Sequence, residues 1–411
     1  MSAANADHAQ EAVTPPCPHF GVCGGCQLQD VAYSAQLERK AARLRELLGG
    51  FALPELQLHA SPPLAYRNRI RLTLREVDGE LRAGYLGDLE DADERGLGLA
   101  FVPITQCPIA APVLWRAAEA FLGLAREAKW LRSAQFAPDQ LELFTTADES
   151  RLQLTLYLRM GQKSIPARLN ADFSALCEGL KAQVPELAGA GVSLLPIAAR
   201  SRRGEQPRPG PTWGAPGLNY SIAMEAGSLH LEPFTYWVPR GAFFQANRFL
   251  VPELVRLVAR VTASSTCDST MAWDLYAGVG LFSRVLARSF VGVTAVEIAE
   301  PAATALAQTK LPNLRAEKAT TLDFLRSALL QRDRPSLIVL DPPRAGLGAE
   351  VCDLLARIAA PILVYVSCSP QALAVDLRAL TASGYAMCEL HLFDLFPQTE
   401  HIEAVVVLRR P

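Results

Sequence analysis

Four apolar segments in the last third of the chain constrain its fold most, because each runs into residues able to do chemistry. Met271-Ala-Trp-Asp-Leu275 enters the turn Tyr276-Ala-Gly278-Val-Gly280, and Val291 to Val296 ends on Glu297. Leu337-Ile-Val-Leu340 ends on Asp341-Pro-Pro-Arg344, and Ile362 to Ser367 on Cys368. Alternating strands and helices predict a mostly parallel sheet covered on both faces. In such sheets ligands bind in the crevice outside the carboxyl ends of the strands, where these residues would lie.

Asp274-x3-Gly278-x-Gly280 would let a cofactor approach the backbone closely, and Glu297 at the next strand end suits a ribose diol. The third glycine of a pyrophosphate loop is missing. That points to S-adenosylmethionine, which carries no phosphate. Asp341 to Arg344 offers a carboxylate and a guanidinium where amino-group methyltransferases acting on adenine carry an aromatic ring, so adenine N-methylation is disfavoured. Cys368 alone would be read as packing, since free cysteines are usually buried and inert. Beside a methyl donor it can instead add to carbon 6 of uracil, making carbon 5 nucleophilic, and a base must then remove the carbon 5 proton. Glu403, at the mouth of the final strand, is the candidate base, with Glu400 and His401 as local competitors.

The rest of the chain adds a different chemistry. Cys17, Cys23 and Cys26 form C-x5-C-x2-C with intervening glycines, and Cys107 in Gln106-Cys-Pro108 is the best fourth ligand. Four thiolates suit a [4Fe-4S] cluster or a structural zinc, and His19 reads as a bystander. Residues 30–48 have helical apolar spacing, with Glu38, Arg39, Lys40, Arg43 and Arg45 expected on a solvated face. In Tyr66 to Arg75, Arg67, Arg69, Arg71 and Arg75 alternate with Ile70, Leu72 and Leu74. No acid interrupts that row, so it is expected to track a phosphate backbone; an ordinary salt-bridged face is the alternative. Short strands and helices to about Trp237 predict a mixed α/β domain, with a basic loop at Ala199 to Gly210.

With 411 residues, half of them hydrophobic, the chain has room for two or three domains. No apolar run could cross a bilayer and Met1 to Pro16 lacks a signal-peptide core, so a cytoplasmic protein is expected. The formal net charge of -2 excludes general attraction to nucleic acid and requires a local basic surface for it.

Several motifs resemble those of the RNA uridine C5-methyltransferases, which make 5-methyluridine in ribosomal or transfer RNA. They are CPHFGVCGGCQ (17–27), YRNR (66–69), QCP (106–108), FFQAN (243–247), DLYAGVG (274–280), DPPRAGL (341–347), YVSCSP (365–370) and FPQTEHIE (396–403). They occur in family order from Cys17 almost to the carboxyl end. The resemblance implies a class I (Rossmann-like) S-adenosylmethionine methyltransferase domain over 241–411. Before it would come a tail (1–16), an iron-sulfur segment and helix (17–60), and a central mixed α/β RNA-binding domain (61–240) that contributes Cys107. It implies a [4Fe-4S] cluster on Cys17, Cys23, Cys26 and Cys107, with a structural role expected in a reaction that moves no net electrons. It implies cofactor contacts from Gln245, Tyr276, Gly278, Gly280, Glu297 and Asp341, with Cys368 as nucleophile and Glu403 as base. Arg67, Arg69, Arg71 and Arg344 are the expected RNA contacts.

Three positions depart from the family pattern: Ser369 replaces Asn, Gln398 replaces His, and an acid near the adenosine is replaced by Thr320 or displaced to Asp323. Sixteen residues ahead of Cys17 are too few for the small oligonucleotide-binding barrel (TRAM) of many members, which is expected to be absent. The Cys368 thiol is expected to be more acidic than a free cysteine, with Arg344 lowering its pKa. Structured RNA, most of all 23S ribosomal RNA, is the expected partner, with no protein partner indicated. Transfer RNA, a cytosine C5 reaction and a non-catalytic RNA-folding role are the alternatives.

Overall fold

The computed structural model describes residues 12–88, 99–132, 135–161, 165–196, 207–223, 233–263 and 271–410. The first eleven residues of the expected tail, and 199–206 of the basic loop, lie outside them. Two compact units emerge. One takes the described residues up to Val31, with Pro63–Tyr220 and Pro239–Gly241; the other takes Ala32–Pro62, Ser221–Val238 and the residues from Ala242 onwards. No helix among the described residues is long and apolar enough to cross a membrane.

The first unit is built on a seven-stranded sheet. Its order is Leu99–Pro103, Glu80–Asp88, Arg69–Val77, Phe136–Thr145, Leu152–Met160, Leu187–Pro196 and Arg208–Gly214. Only the pairing of Leu152–Met160 with Leu187–Pro196 is parallel. Alternation along Arg69–Val77 buries Ile70, Leu72 and Leu74. They join one core with Val113, Leu114, Ala117, Phe121 and Ala125, the helically spaced stripe of Pro112–Glu127. Pro112 starts that helix where its missing N–H costs nothing.

The arginine row has carboxylate partners that its own strand does not show. The acids absent from the strand itself come from its neighbour: Glu142, buried on Phe136–Thr145, accepts from Arg69 at 2.9 Å and from Arg71. Register explains the contact, because Arg71 pairs directly with Glu142. Arg75 faces Asp139 at 3.7 Å. Arg69 and Arg71 also lie over the rings of Phe144 and Tyr157, 4.3 and 5.0 Å from their centroids. The row is thus partly salt-bridged, with two carboxylates shared among Arg69, Arg71, Arg75 and Arg159, while Arg71 and Arg75 keep about half of their side chains exposed.

The second unit contains an eight-stranded sheet in the order Leu56–His59, Ala386–Phe393, Glu403–Arg409, Ile362–Ser367, Leu337–Leu340, Met271–Leu275, Gly292–Val296, Leu314–Glu317. The last five run parallel to one another, and Glu403–Arg409 is antiparallel to both its neighbours. Chain order reverses between Met271–Leu275 and Leu337–Leu340, the switch point where open α/β sheets bind ligands.

The helix Tyr33–Leu47 belongs to this second unit. Leu44 joins the core of Trp273, Leu340, Tyr365 and Val406. Lys40, expected on a solvated face, is buried instead. Its ammonium lies 2.6 Å from Asp394 and 3.0 Å from the Phe396 carbonyl. Removing one partner of such a pair strands the other charge. Lys40→Met is therefore expected to cost about 3 to 5 kcal/mol in urea unfolding, and adding Asp394→Asn should recover part of it.

Candidate active site

The strand-end residues of the second unit converge on one rim. Ser367 pairs with Ala404 across antiparallel strands. Cys368 directly follows Ser367 and Glu403 directly precedes Ala404, so the two functional groups leave that strand pair at the same end, within electrostatic reach of each other. Glu403 is buried and Cys368 half-buried. Burial, then the neighbouring Glu403 and Asp341 carboxyls, push the Cys368 thiol up to about 11, with Arg344 opposing them. The expectation of an acidic thiol is thus corrected: burial and two carboxyls make the Cys368 thiol less acidic than a free cysteine. Arg344 acts in the expected direction, but burial is the larger effect. Burial and Asp341 also raise the Glu403 carboxyl well above its usual range, again against Arg344.

Asp341 follows Leu337–Leu340 and accepts from Gln245 Nε2 at 3.2 Å. Burial and the nearby Asp274 raise it to about 7. Glu297 closes the glycine turn: it accepts the Gly278 N–H at 2.9 Å and the N–H groups of Ile298 and Ala299 at 2.8 and 2.6 Å. Tyr276 stands in the left-handed region at φ 63°, half-buried, with its hydroxyl bonded to Thr321. Gly280 has φ 87°, and a Cβ there would meet Leu306 Cδ1 at 2.9 Å. The turn therefore needs glycine at that position.

Local chemistry accounts for the three departures. Ser369 is the N-cap of Pro370–Ala382 and accepts the Ala372 N–H at 3.4 Å. Ser and Asn cap equally well, so exchanging them preserves the helix start beside Cys368. Thr320 caps Thr321–Gln331, accepting the Asp323 N–H at 3.1 Å and donating to the Asp323 carboxylate at 2.7 Å. Gln398, at φ 68°, accepts from Gln36 Nε2 at 3.0 Å and donates its N–H to Gln36 Oε1 at 2.9 Å. Asn247 of FFQAN donates to the carbonyls of Asp394 and Leu395 at 3.4 and 3.1 Å. Gln36, Lys40 and Asn247 thereby fix the segment leading into Glu403. Gln36 carries no motif in the sequence and Lys40 is expected there on a solvated face, because their partners are more than 350 residues away.

In the first unit, the segment holding Cys17, Cys23 and Cys26 is folded back by turns with positive φ at Gly21 and Gly24. His19 ties it to Thr105, accepting that residue's N–H at 2.9 Å, two positions before Cys107. Cys26 senses the charges of Cys107 and Cys23, Cys17 that of Cys23, and Cys107 that of Cys17. Arg67 lies beside Cys26 and Cys107, and Tyr85 hydrogen-bonds Cys107. The four thiols are thus linked by mutual electrostatic influence. Among the described residues, however, no group of three or more His, Cys, Asp or Glu side chains stands close enough to hold a metal ion.

The family described as tRNA (Uracil-5-)-methyltransferase matches residues 224–411. The 23S rRNA (uracil(1939)-C(5))-methyltransferase RlmD of Halomonas elongata is 30% identical over 414 residues, covering 97% of this chain and 77% of its own. The 23S rRNA (uracil(747)-C(5))-methyltransferase RlmC of Halothiobacillus neapolitanus is 29% identical over 405 residues, covering 96% of this chain and 99% of its own. The crystal structure of the Pyrococcus abyssi tRNA (uracil-54, C5)-methyltransferase with S-adenosyl-L-homocysteine shares the fold at TM-score 0.67 and 22% identity, over 94% of this chain and 86% of that one. The second unit thus has the mixed α/β fold of S-adenosylmethionine-dependent methyltransferases. The whole chain belongs to the RNA uracil-C5-methyltransferase family.

Proposed function

We propose that the protein methylates carbon 5 of a uridine in structured RNA, with 23S ribosomal RNA as substrate. Cys368 acts as nucleophile and Glu403 as base. The observation that supports this reading most is that Cys368 and Glu403 flank the paired residues Ser367 and Ala404 at one end of two neighbouring strands, with Asp341 and Arg344 in electrostatic reach of both.

The Cys368 sulfur loses its proton and bonds to carbon 6, which raises electron density at carbon 5. S-adenosylmethionine, which Gln245, Tyr276, the Gly278–Gly280 turn, Glu297 and Asp341 would hold, would supply its sulfonium methyl group to carbon 5 and leave as S-adenosylhomocysteine. Glu403 takes the carbon 5 proton, the sulfur–carbon 6 bond breaks, and the thiolate leaves. A uridine stacked in a duplex cannot meet both groups, so the substrate is a loop or a flipped base. Burial raises Cys368, Glu403 and Asp341 alike and so favours their neutral forms. A sulfonium bound among them favours their anionic forms, which couples thiol activation to the presence of the methyl donor.

Ribosomal over transfer RNA is supported by the relatives named for 23S rRNA that match nearly the full chain. The test offers the enzyme unmodified ribosomal and transfer RNA with labelled methyl donor, followed by nucleoside mass spectrometry. Label as 5-methyluridine in 23S RNA is expected. Label only in transfer RNA overturns the substrate, and label on cytidine overturns the reaction.

Residues 61–240 are assigned to RNA binding, together with the segment carrying Cys17, Cys23 and Cys26. Those three thiols and Cys107 are assigned to a [4Fe-4S] cluster. Their mutual proximity and the cation of Arg67 suit an anionic cluster, whose binding must draw the sulfurs closer together. Anaerobically purified protein should contain iron and acid-labile sulfide in equal amounts, and Cys107→Ser should lose both. Zinc without sulfide would overturn the assignment.

A further inference from the structure

Asp376 is a buried acid of this unit that the reaction does not use. It lies inside the helix Pro370–Ala382, only 3% exposed. A buried carboxylate is costly unless its oxygens are satisfied, and the donors reaching Asp376 come from the segments that carry the site. Its Oδ2 accepts the Leu347 N–H at 2.8 Å and the Tyr365 hydroxyl at 2.6 Å, and its Oδ1 accepts the Gly348 N–H at 3.2 Å. The Cys352 thiol approaches Oδ1 at 3.8 Å.

Leu347 and Gly348 end the loop that begins with Asp341 and Arg344. Tyr365 lies three residues before Cys368 on the same strand, and the helix holding Asp376 begins two residues after Cys368. One carboxylate thus joins the loop, the strand end and the helix start. The fit is tight: Gly346 has φ 78°, and a Cβ there would lie 2.6 Å from Asp376 Oδ2 and 3.0 Å from Ala372 Cβ. Tyr276, on the cofactor side, also senses the charges of Asp376 and Cys352.

We propose that Asp376 is a positioning residue for methyl transfer, holding Leu347, Gly348 and Tyr365 together so that Asp341 and Arg344 face Cys368. This rests on the reading of Cys368 as nucleophile. Asp376→Asn keeps the shape but turns an amide N–H₂ towards donors, loosening the loop without emptying the core. Misplacing reacting groups by about 1 Å can cost on the order of 100-fold in rate.

The test follows covalent capture of RNA containing 5-fluorouridine under single-turnover conditions, reading the rate constant and the final adduct stoichiometry separately. A positioning role predicts a rate constant about 100-fold lower for Asp376→Asn, with stoichiometry per folded enzyme unchanged. A merely structural role would lower the folded fraction while the rate constant stayed that of wild type, and that result overturns the proposal. If Asp376→Asn does not fold, Gly346→Ala presses on the same contact from the loop side. It should slow capture with the same unchanged stoichiometry, and a wild-type rate constant there also overturns the proposal. Failure of the wild-type enzyme itself to form an adduct would instead remove the underlying reading of Cys368.

Discussion

Cys368→Ala should form no covalent complex with 5-fluorouridine RNA and produce no 5-methyluridine. The expected loss in turnover is on the order of 10⁶-fold, the scale seen when the nucleophile of a covalent catalyst is deleted. The reason is electronic: carbon 5 of uracil becomes nucleophilic only once an anion has added at carbon 6. No other described cysteine is placed at this rim; Cys352 is buried beside Asp376, and Cys177 lies in the core of the other unit. Because Cys368 is half-buried and its replacement removes a single sulfur, the variant should stay folded and still bind the methyl donor. Equilibrium dialysis with S-adenosylmethionine checks that point, so that loss of activity is not mistaken for loss of the fold.

Glu403→Gln should behave in the opposite way, accumulating an enzyme–RNA adduct that already carries the methyl group. Glutamine matches glutamate in size but cannot take the carbon 5 proton, so the reaction stalls before elimination. Turnover should fall by about 10² to 10⁴, the usual contribution of a general base, while adduct formation continues. The pH profile gives a second signature. With its folded pKa raised well above the ordinary carboxyl range, Glu403 is protonated and idle at low pH and becomes a base only as pH rises. Wild-type elimination should therefore speed up with pH through the ionisation of Glu403, and the Gln variant should lose that dependence. Cys368, also raised, adds its own rise to the adduct-forming step in both proteins.

How legible all this is in the sequence depends on the distance between partners. The strand ends at Asp274, Glu297, Asp341 and Cys368 stand out because period and motif are local, and the parallel sheet follows from them. Pairing of Arg69 and Arg71 with Glu142 is invisible to a reading of one strand, because register between strands set it. Lys40 looks solvated because Asp394, its partner, lies 354 residues further on. The thiol of Cys368 looks activated when only Arg344 is weighed; burial and two carboxyls outweigh that single cation. Asp376 did leave a signal. It interrupts the apolar stripe of Leu373, Leu377 and Leu380, all buried, where an acid needs donors from elsewhere in the fold.

The most direct test of the account is peptide mass mapping of the Glu403→Gln enzyme after reaction with 5-fluorouridine RNA and S-adenosylmethionine. The account predicts one modified peptide, with a methylated fluorouracil nucleotide attached through the sulfur of Cys368. A nucleotide bonded to any other residue, or attached at Cys368 without the methyl group, would contradict it.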